Sequence, residues 1–122
     1  MESTPLRVDR VDVRHTEDEL TLILGVTGVH VMMIRLRYDG WVDEVINSAG
    51  SVAPGPGAWT LIDHEISLEL GTPTAATLGF PRDCRLHLDV DDAAIRQVRA
   101  ALLEILQCAC FVVDPPEGRL AG

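Results

Sequence analysis

The stretch WTLIDHEISLEL, residues 59–70, indicates the fold class because a short apolar run is followed by an alternation of polar and apolar side chains. A period of two over 65–70 is typical of a strand with one buried face. Asp63 and His64 separate this strand from an apolar run over 59–62, and such a polar pair favours a tight turn. We therefore predict a hairpin of two antiparallel strands.

The residues after the hairpin predict two helices and one more strand. Thr72 precedes a short helix over 73–78 as its N-cap, and Gly79 ends that helix. Alternation over 84–90 indicates another strand with one buried face. Asp91 then caps the one long helix of the chain. Apolar side chains at the 3.6-residue period form the core face of that helix: Ile95, Val98, Leu102 and Ile105.

The first half of the chain predicts further strands, over residues 6–14, 19–27 and 29–38. The alternation in the first of these shifts phase near Asp9 or Arg10, which predicts a β-bulge there. Residues 41–47 fit either a short strand or a helical turn. The segment 48–57 is rich in glycine and proline and is predicted to be the longest loop. Residues 108–113 fit either a last strand or an extension of the long helix.

This order of elements predicts an α+β fold. We expect a mostly antiparallel sheet of about six strands, with the short helix and the long C-terminal helix packed on one face. The 122 residues suit a single domain over 1–114. Pro115 and Pro116 stop regular structure, so a flexible tail is expected over 115–122.

The charge balance of the chain restricts its partners. Nineteen carboxylates face ten basic residues, all of them arginine, and the formal net charge is −9. Nucleic acids and anionic membranes attract clustered positive charge, so we expect neither as a partner. A basic protein is the kind of partner that this surface would attract.

The sequence predicts a cytoplasmic protein without cofactor or metal. No run of about 18 apolar residues and no basic-then-apolar leader is visible. Cys84 is expected to be a buried thiol, and three cysteines do not predict a disulfide framework. Cys108 and Cys110 are close enough to bind a metal or to form an oxidisable pair, but no second Cys/His pair completes four ligands.

No catalytic residues are predicted. Glu65 follows Asp63 and His64, but neighbours on a strand point to opposite faces and a turn exposes them to solvent. Arg85, His87 and Asp89 share one face of their strand, and we expect an ordinary solvated face. His87 becomes a candidate acid or base only if that face lines a groove. We predict no role for the remaining histidines, His15 and His30.

An aromatic side chain inside an acidic rim is the strongest candidate for a binding site. Asp39, Asp43 and Glu44 surround Trp41, a composition typical of a patch that meets a basic protein. The alternative is that Trp41 belongs to the core and the carboxylates are simply solvated. The predicted partner-binding residues are Tyr38, Asp39, Trp41, Asp43, Glu44, Glu65 and Glu69.

Four segments of the second half carry a family resemblance. They are a hairpin IDHEISLEL (62–70), a small-residue helix TAATLG (74–79), a strand LHLD (86–89) and a leucine-rich helix (95–106). With these elements, residues 57–106 resemble the tenth family of bacterial polymorphic-toxin immunity proteins.

The resemblance implies binding rather than catalysis. Such a protein would block the active site of a cognate toxin, often a basic effector domain. Other classes stay open at this point: a domain that binds a small molecule in a groove between sheet and helices, a subunit of a larger assembly, or an enzyme. Self-association into a homodimer through an open sheet edge is compatible with each of them.

Overall fold

Two β-sheets and two helices are seen in the computed structural model, which describes residues 6–26, 29–107 and 110–114. The first sheet, called the mixed sheet, contains β1 (Leu6–Val8), β7 (Ala58–Ile62), β8 (Glu65–Glu69), β9 (Asp83–Leu88) and β10 (Cys110–Asp114). Its strand order is β1-β9-β8-β7-β10. The outer strands β1 and β10 are parallel to their neighbours, and the other pairs are antiparallel.

The second sheet, called the meander sheet, is antiparallel throughout. It contains β2 (Arg10–His15), β3 (Glu19–Val26), β4 (Val29–Arg37), β5 (Val42–Asn47) and β6 (Val52–Pro54), in that order. Residues 41–47, which fit a strand or a helical turn, therefore contribute strand β5. The predicted loop over 48–57 contains the short strand β6. The final segment that fitted a strand or a helix forms β10.

The predicted α+β class and the mostly antiparallel pairing are confirmed. The strands lie in two sheets of five rather than in one sheet of about six. The phase shift at Asp9 marks the crossing between them, because the chain leaves the mixed sheet after Val8 and enters the meander sheet at Arg10. The predicted β-bulge near these residues is therefore a change of sheet. An irregularity in pairing occurs instead between Leu24 and Gly25 of β3.

One buried cluster joins both sheets to the long helix α2 (Asp92–Ile105). Leu22, Ile34 and Val45 are in register across the meander sheet and are fully buried. Side chains on β7, β8 and β9 of the mixed sheet belong to the same cluster. Val98, Leu102 and Ile105 of the predicted helix face are buried, while Ile95 packs at its edge. Burial of this apolar surface is the main stabilising term of such a fold.

The two helices begin in different ways. Asp91 caps α2 as predicted, and its side chain accepts a hydrogen bond of 2.8 Å from the backbone N–H of Ala94. The short helix α1 (Thr72–Leu78) begins one residue earlier than predicted, with Gly71 at the N-cap and no side-chain capping bond. Gly79 ends α1 in the left-handed conformation, with φ of 77°.

Some predictions fall outside the described residues. The tail over 115–122 and Cys108 are not described, and neither are the side chains of His30 and Cys110. Among the described helices, none combines the length and the apolar character needed to cross a membrane.

Candidate partner-binding site

The β4–β5 hairpin presents Trp41 to solvent. The backbone N–H of Trp41 donates to the carbonyl of Tyr38 at 3.4 Å, which closes a four-residue loop. Gly40 has φ of 87° and Trp41 has φ of 54°, and a bulky residue rarely adopts this left-handed conformation. Trp41 is 63% exposed, the largest exposed fraction among the large apolar residues that the structure describes. Trp41 is therefore a surface residue, whereas Trp59 is 1% exposed and belongs to the core.

The ring of Tyr38 packs against the indole of Trp41. The two rings meet edge to face, with 5.7 Å between their centroids and 66° between their planes. The backbone N–H of Tyr38 donates to the carbonyl of Asp18 at 2.9 Å. Its hydroxyl lies 2.8 Å from Nε2 of His15 and donates to Oε2 of Glu104 at 3.4 Å. Tyr38 is thus held by contacts to β2, to the turn before β3 and to α2.

The hydroxyl of Tyr38 stays protonated across the physiological range. Loss of solvation raises the pKa of Tyr38, and the negative charge of Glu104 and its hydrogen bond raise it further. The contact with Glu104 is consequently a bond from a neutral donor to a carboxylate.

A cavity of about 250 Å³ lies beside the indole, between the hairpin and the C-terminal end of α2. Its walls are Leu36, Trp41, Asp43, Ile105 and Gln107. Leu36 and Ile105 are each 2% exposed and form an apolar floor. The indole of Trp41 contributes an aromatic wall at the solvent side.

Asp43 places a carboxylate on the core-facing side of β5. It is in register with Leu36 of β4, so its side chain lies on the same face as that buried leucine. The side chain is half-buried, and it has no hydrogen bond or ion pair within the described part of the chain. Gly55 makes room for it, because a Cβ at that position would overlap Oδ2 of Asp43. The pocket therefore combines an aromatic ring, an apolar floor and an uncompensated negative charge.

The structure brings together only part of the predicted set. Tyr38, Asp39, Trp41 and Asp43 lie in or beside the hairpin. Glu44 points to the opposite face of the meander sheet, where its Oε1 accepts bonds of 3.1 and 2.6 Å from Nε and Nη2 of Arg35.

The two remaining acidic residues of that set belong to the other sheet. Glu65 and Glu69 are on the outward side of β8. Glu65 lies 3.8 Å from Arg85, and Glu69 is exposed opposite Asp83. We therefore leave Glu44, Glu65 and Glu69 out of the candidate site.

Sequence analysis missed several residues of the site. His15 was given no role, and Glu104 was not among the predicted partner-binding residues. His15 lies opposite Leu20, and Leu20 lies opposite Leu36 on the next strand. Pairing the predicted strands in this register would have placed His15 near Tyr38, which follows Leu36 by two residues. Nothing local indicates that Glu104 reaches Tyr38, since 66 residues separate them.

The other chemical candidates do not converge. Asp63 and His64 form the predicted turn, and His64 lies 3.8 Å from Asp92 rather than between two carboxylates. Asp89 pairs with Arg7 at 2.7 Å, while His87 is exposed on the outer face of the mixed sheet. Among the described residues no group of three or more His, Cys, Asp or Glu could hold a metal ion.

Cys84 is a buried thiol, as predicted. Burial raises its pKa from the ordinary 9.0 to about 11, with a smaller contribution from the neighbouring charge of Asp83. A thiol in this state is a poor nucleophile and metal ligand at neutral pH.

A second cavity, of about 240 Å³, lies on the face of the meander sheet that α2 does not cover. Ile23, Met33 and Ile46 supply its apolar side chains. Arg14 and Arg35 line the same cavity, together with polar and acidic groups of β3. We call it the outer groove.

In comparisons with known proteins, no family model, no curated protein and no solved structure matches this chain.

Proposed function

We propose that this chain is an immunity-type binding protein that neutralises a cognate toxin domain in the cytoplasm by direct contact. The observation that carries the proposal is the exposure of Trp41 on a well-supported hairpin. Tryptophan is enriched among the residues that dominate binding energy at protein interfaces. An indole that is already held by Tyr38 loses little conformational freedom on binding, which favours affinity.

The charge around Trp41 supports a basic partner. Asp39 and Asp43 flank the indole in sequence, and Glu104 reaches Tyr38 beneath it. The chain as a whole carries −9. Such a surface would accelerate encounter with a positively charged domain and orient it toward the acidic rim. The proposed action is occlusion of the toxin, and it involves no catalytic step, cofactor or metal on this chain.

Co-expression tests this function. The C-terminal domain encoded by the adjacent open reading frame is produced in a bacterial host with the wild-type protein, with Trp41→Ala or with Ile62→Ala. Ile62 is a matched control because it is a large apolar residue, 43% exposed, at the end of β7. We expect toxicity that wild type and Ile62→Ala relieve, with co-purification, and that Trp41→Ala does not. A harmless neighbour, or killing that wild type does not relieve, would contradict the proposal.

A small-molecule-binding domain is the second candidate, and the outer groove favours it. Its apolar side chains suit an apolar ligand that bears a carboxylate, which would compete with Glu44 for Arg35 and with Asp12 for Arg14. A ligand of this class should raise the melting temperature of wild type. It should not do so for Met33→Trp, in which the larger side chain fills the groove.

A further inference from the structure

We propose that the cavity beside Trp41 is a specific socket for one cationic side chain of the partner, an arginine or lysine. This inference rests on the proposed function and adds the chemistry by which the partner is recognised. Three features of the pocket carry it: the carboxylate of Asp43, the indole of Trp41 and the apolar floor of Leu36 and Ile105.

The carboxylate of Asp43 is the feature of the pocket that favours a cation. Asp43 lies on the core-facing side of β5, half-buried, and has no cationic partner within the described residues. Glu44, its neighbour on the opposite face, is paired with Arg35 at 2.6 Å. Burying a charge is unfavourable unless an opposite charge accompanies it. A partner cation would therefore gain more from Asp43 than from an ordinary surface carboxylate.

The walls of the pocket fit the rest of such a side chain. Arginine and lysine carry three or four methylene groups before the charge, and these pack against apolar surface. Leu36 and Ile105 offer that surface at the floor. A guanidinium or ammonium group is also attracted to the face of an indole, most strongly for tryptophan. One side chain can thus contact all three features.

Gly55 is part of the same arrangement. Its missing side chain leaves the space that Oδ2 of Asp43 occupies. The backbone N–H of Gly55 also donates to the carbonyl of Asp43 at 3.2 Å, which holds the two strands together at this point. The position of the carboxylate in the pocket therefore depends on glycine at this position.

The test uses small cations that mimic the partner side chain and need no partner protein. n-Butylguanidinium, n-butylammonium and the neutral n-butylurea are titrated into the ¹⁵N-labelled full chain, and the indole N–H of Trp41 and the amide of Gly55 are followed by NMR. We expect saturable shifts with at least one of the cations and none with n-butylurea at the same concentrations. Equal shifts with the neutral compound would overturn the proposal.

Two variants with the same charge change make the test specific. Asp43→Asn removes the carboxylate of the pocket, whereas Glu44→Gln removes the adjacent one on the opposite face. We expect Asp43→Asn to weaken cation binding by about tenfold or more and Glu44→Gln by less than about twofold. Equal losses would show a general charge effect and would overturn the socket.

The same variants separate this inference from the proposed function. If Trp41→Ala abolishes protection against the toxin while Asp43→Asn and Glu44→Gln protect equally well, the socket is contradicted and the binding function stands. If the cations bind as expected while no toxin is neutralised, the function is contradicted and the cation site stands.

Discussion

The indole of Trp41 meets the ring of Tyr38 edge to face, with 5.7 Å between the two ring centroids. This contact joins an exposed residue in a left-handed conformation to a tyrosine held by hydrogen bonds to β2 and α2. The hairpin therefore presents its most exposed apolar residue on a supported base. That geometry is unfavourable for solubility and favourable for recognition.

Replacing Trp41 should separate stability from binding. In Trp41→Gly the strain at φ of 54° is relieved, while the aromatic contact with Tyr38 is lost. Each effect is worth about 1 kcal/mol and the two oppose each other. We expect the free energy of unfolding to change by less than about 1 kcal/mol, as measured by urea denaturation. A loss of several kcal/mol would show that Trp41 is required for folding, and its exposure would then say little about binding.

Gly55→Ala should disturb the pocket without changing any charge. The new methyl group would overlap the carboxylate of Asp43, and that flexible side chain must turn away. We expect cation binding to fall about as much as in Asp43→Asn, with little change in the urea midpoint. Gly57→Ala serves as the control, because a Cβ there meets nothing within 4 Å in the described structure. Unchanged binding in Gly55→Ala would show that the position of Asp43 does not matter.

The fold should lose stability in alkali through Cys84. Its pKa is about 11 in the folded chain and 9.0 in an unperturbed thiol, so folding favours the protonated form. The contribution is fully present below pH 9 and is lost as the pH rises toward 11. Between pH 9 and pH 11 the free energy of unfolding of wild type should fall by on the order of 1–2 kcal/mol more than that of Cys84→Ala. Parallel pH profiles of unfolding for the two proteins would contradict this assignment.

Association with a basic toxin domain should depend on salt. Nineteen carboxylates against ten arginines give a long-range attraction that added ions screen. We expect the association rate constant, measured by stopped-flow fluorescence, to fall by about tenfold between low salt and 0.5 M NaCl. The dissociation rate should change much less. An association rate that does not depend on salt would contradict the proposed electrostatic attraction. It would not contradict the proposed contact at Trp41.

Local patterns predicted the elements better than their arrangement. The alternation around Asp63 and His64 predicted the β7–β8 hairpin, and Asp91 was correctly taken as a helix cap. Alternation with a period of two shows which side chains share one face of a strand, but it does not show which strands pair. The phase shift at Asp9 was therefore interpreted as a bulge, whereas the structure places there the crossing between two sheets.

The site was only partly visible in the sequence for a similar reason. Composition drew attention to Trp41 and Asp43, but it could not decide whether the indole was exposed. It also grouped Glu44 with them, although neighbours on a strand face opposite ways. Glu104 joins the site through α2, and only the packing of that helix against the meander sheet brings it to Tyr38.

The affinity of Trp41→Ala for the purified toxin domain is the decisive measurement for the role of this hairpin. Isothermal titration would compare it with wild type and with Ile62→Ala, whose removed side chain is also exposed. We predict a loss of at least about 2 kcal/mol for Trp41→Ala, a factor of about thirty in Kd, and almost none for Ile62→Ala. Equal affinities of wild type and Trp41→Ala would contradict the assignment of this hairpin as the binding site.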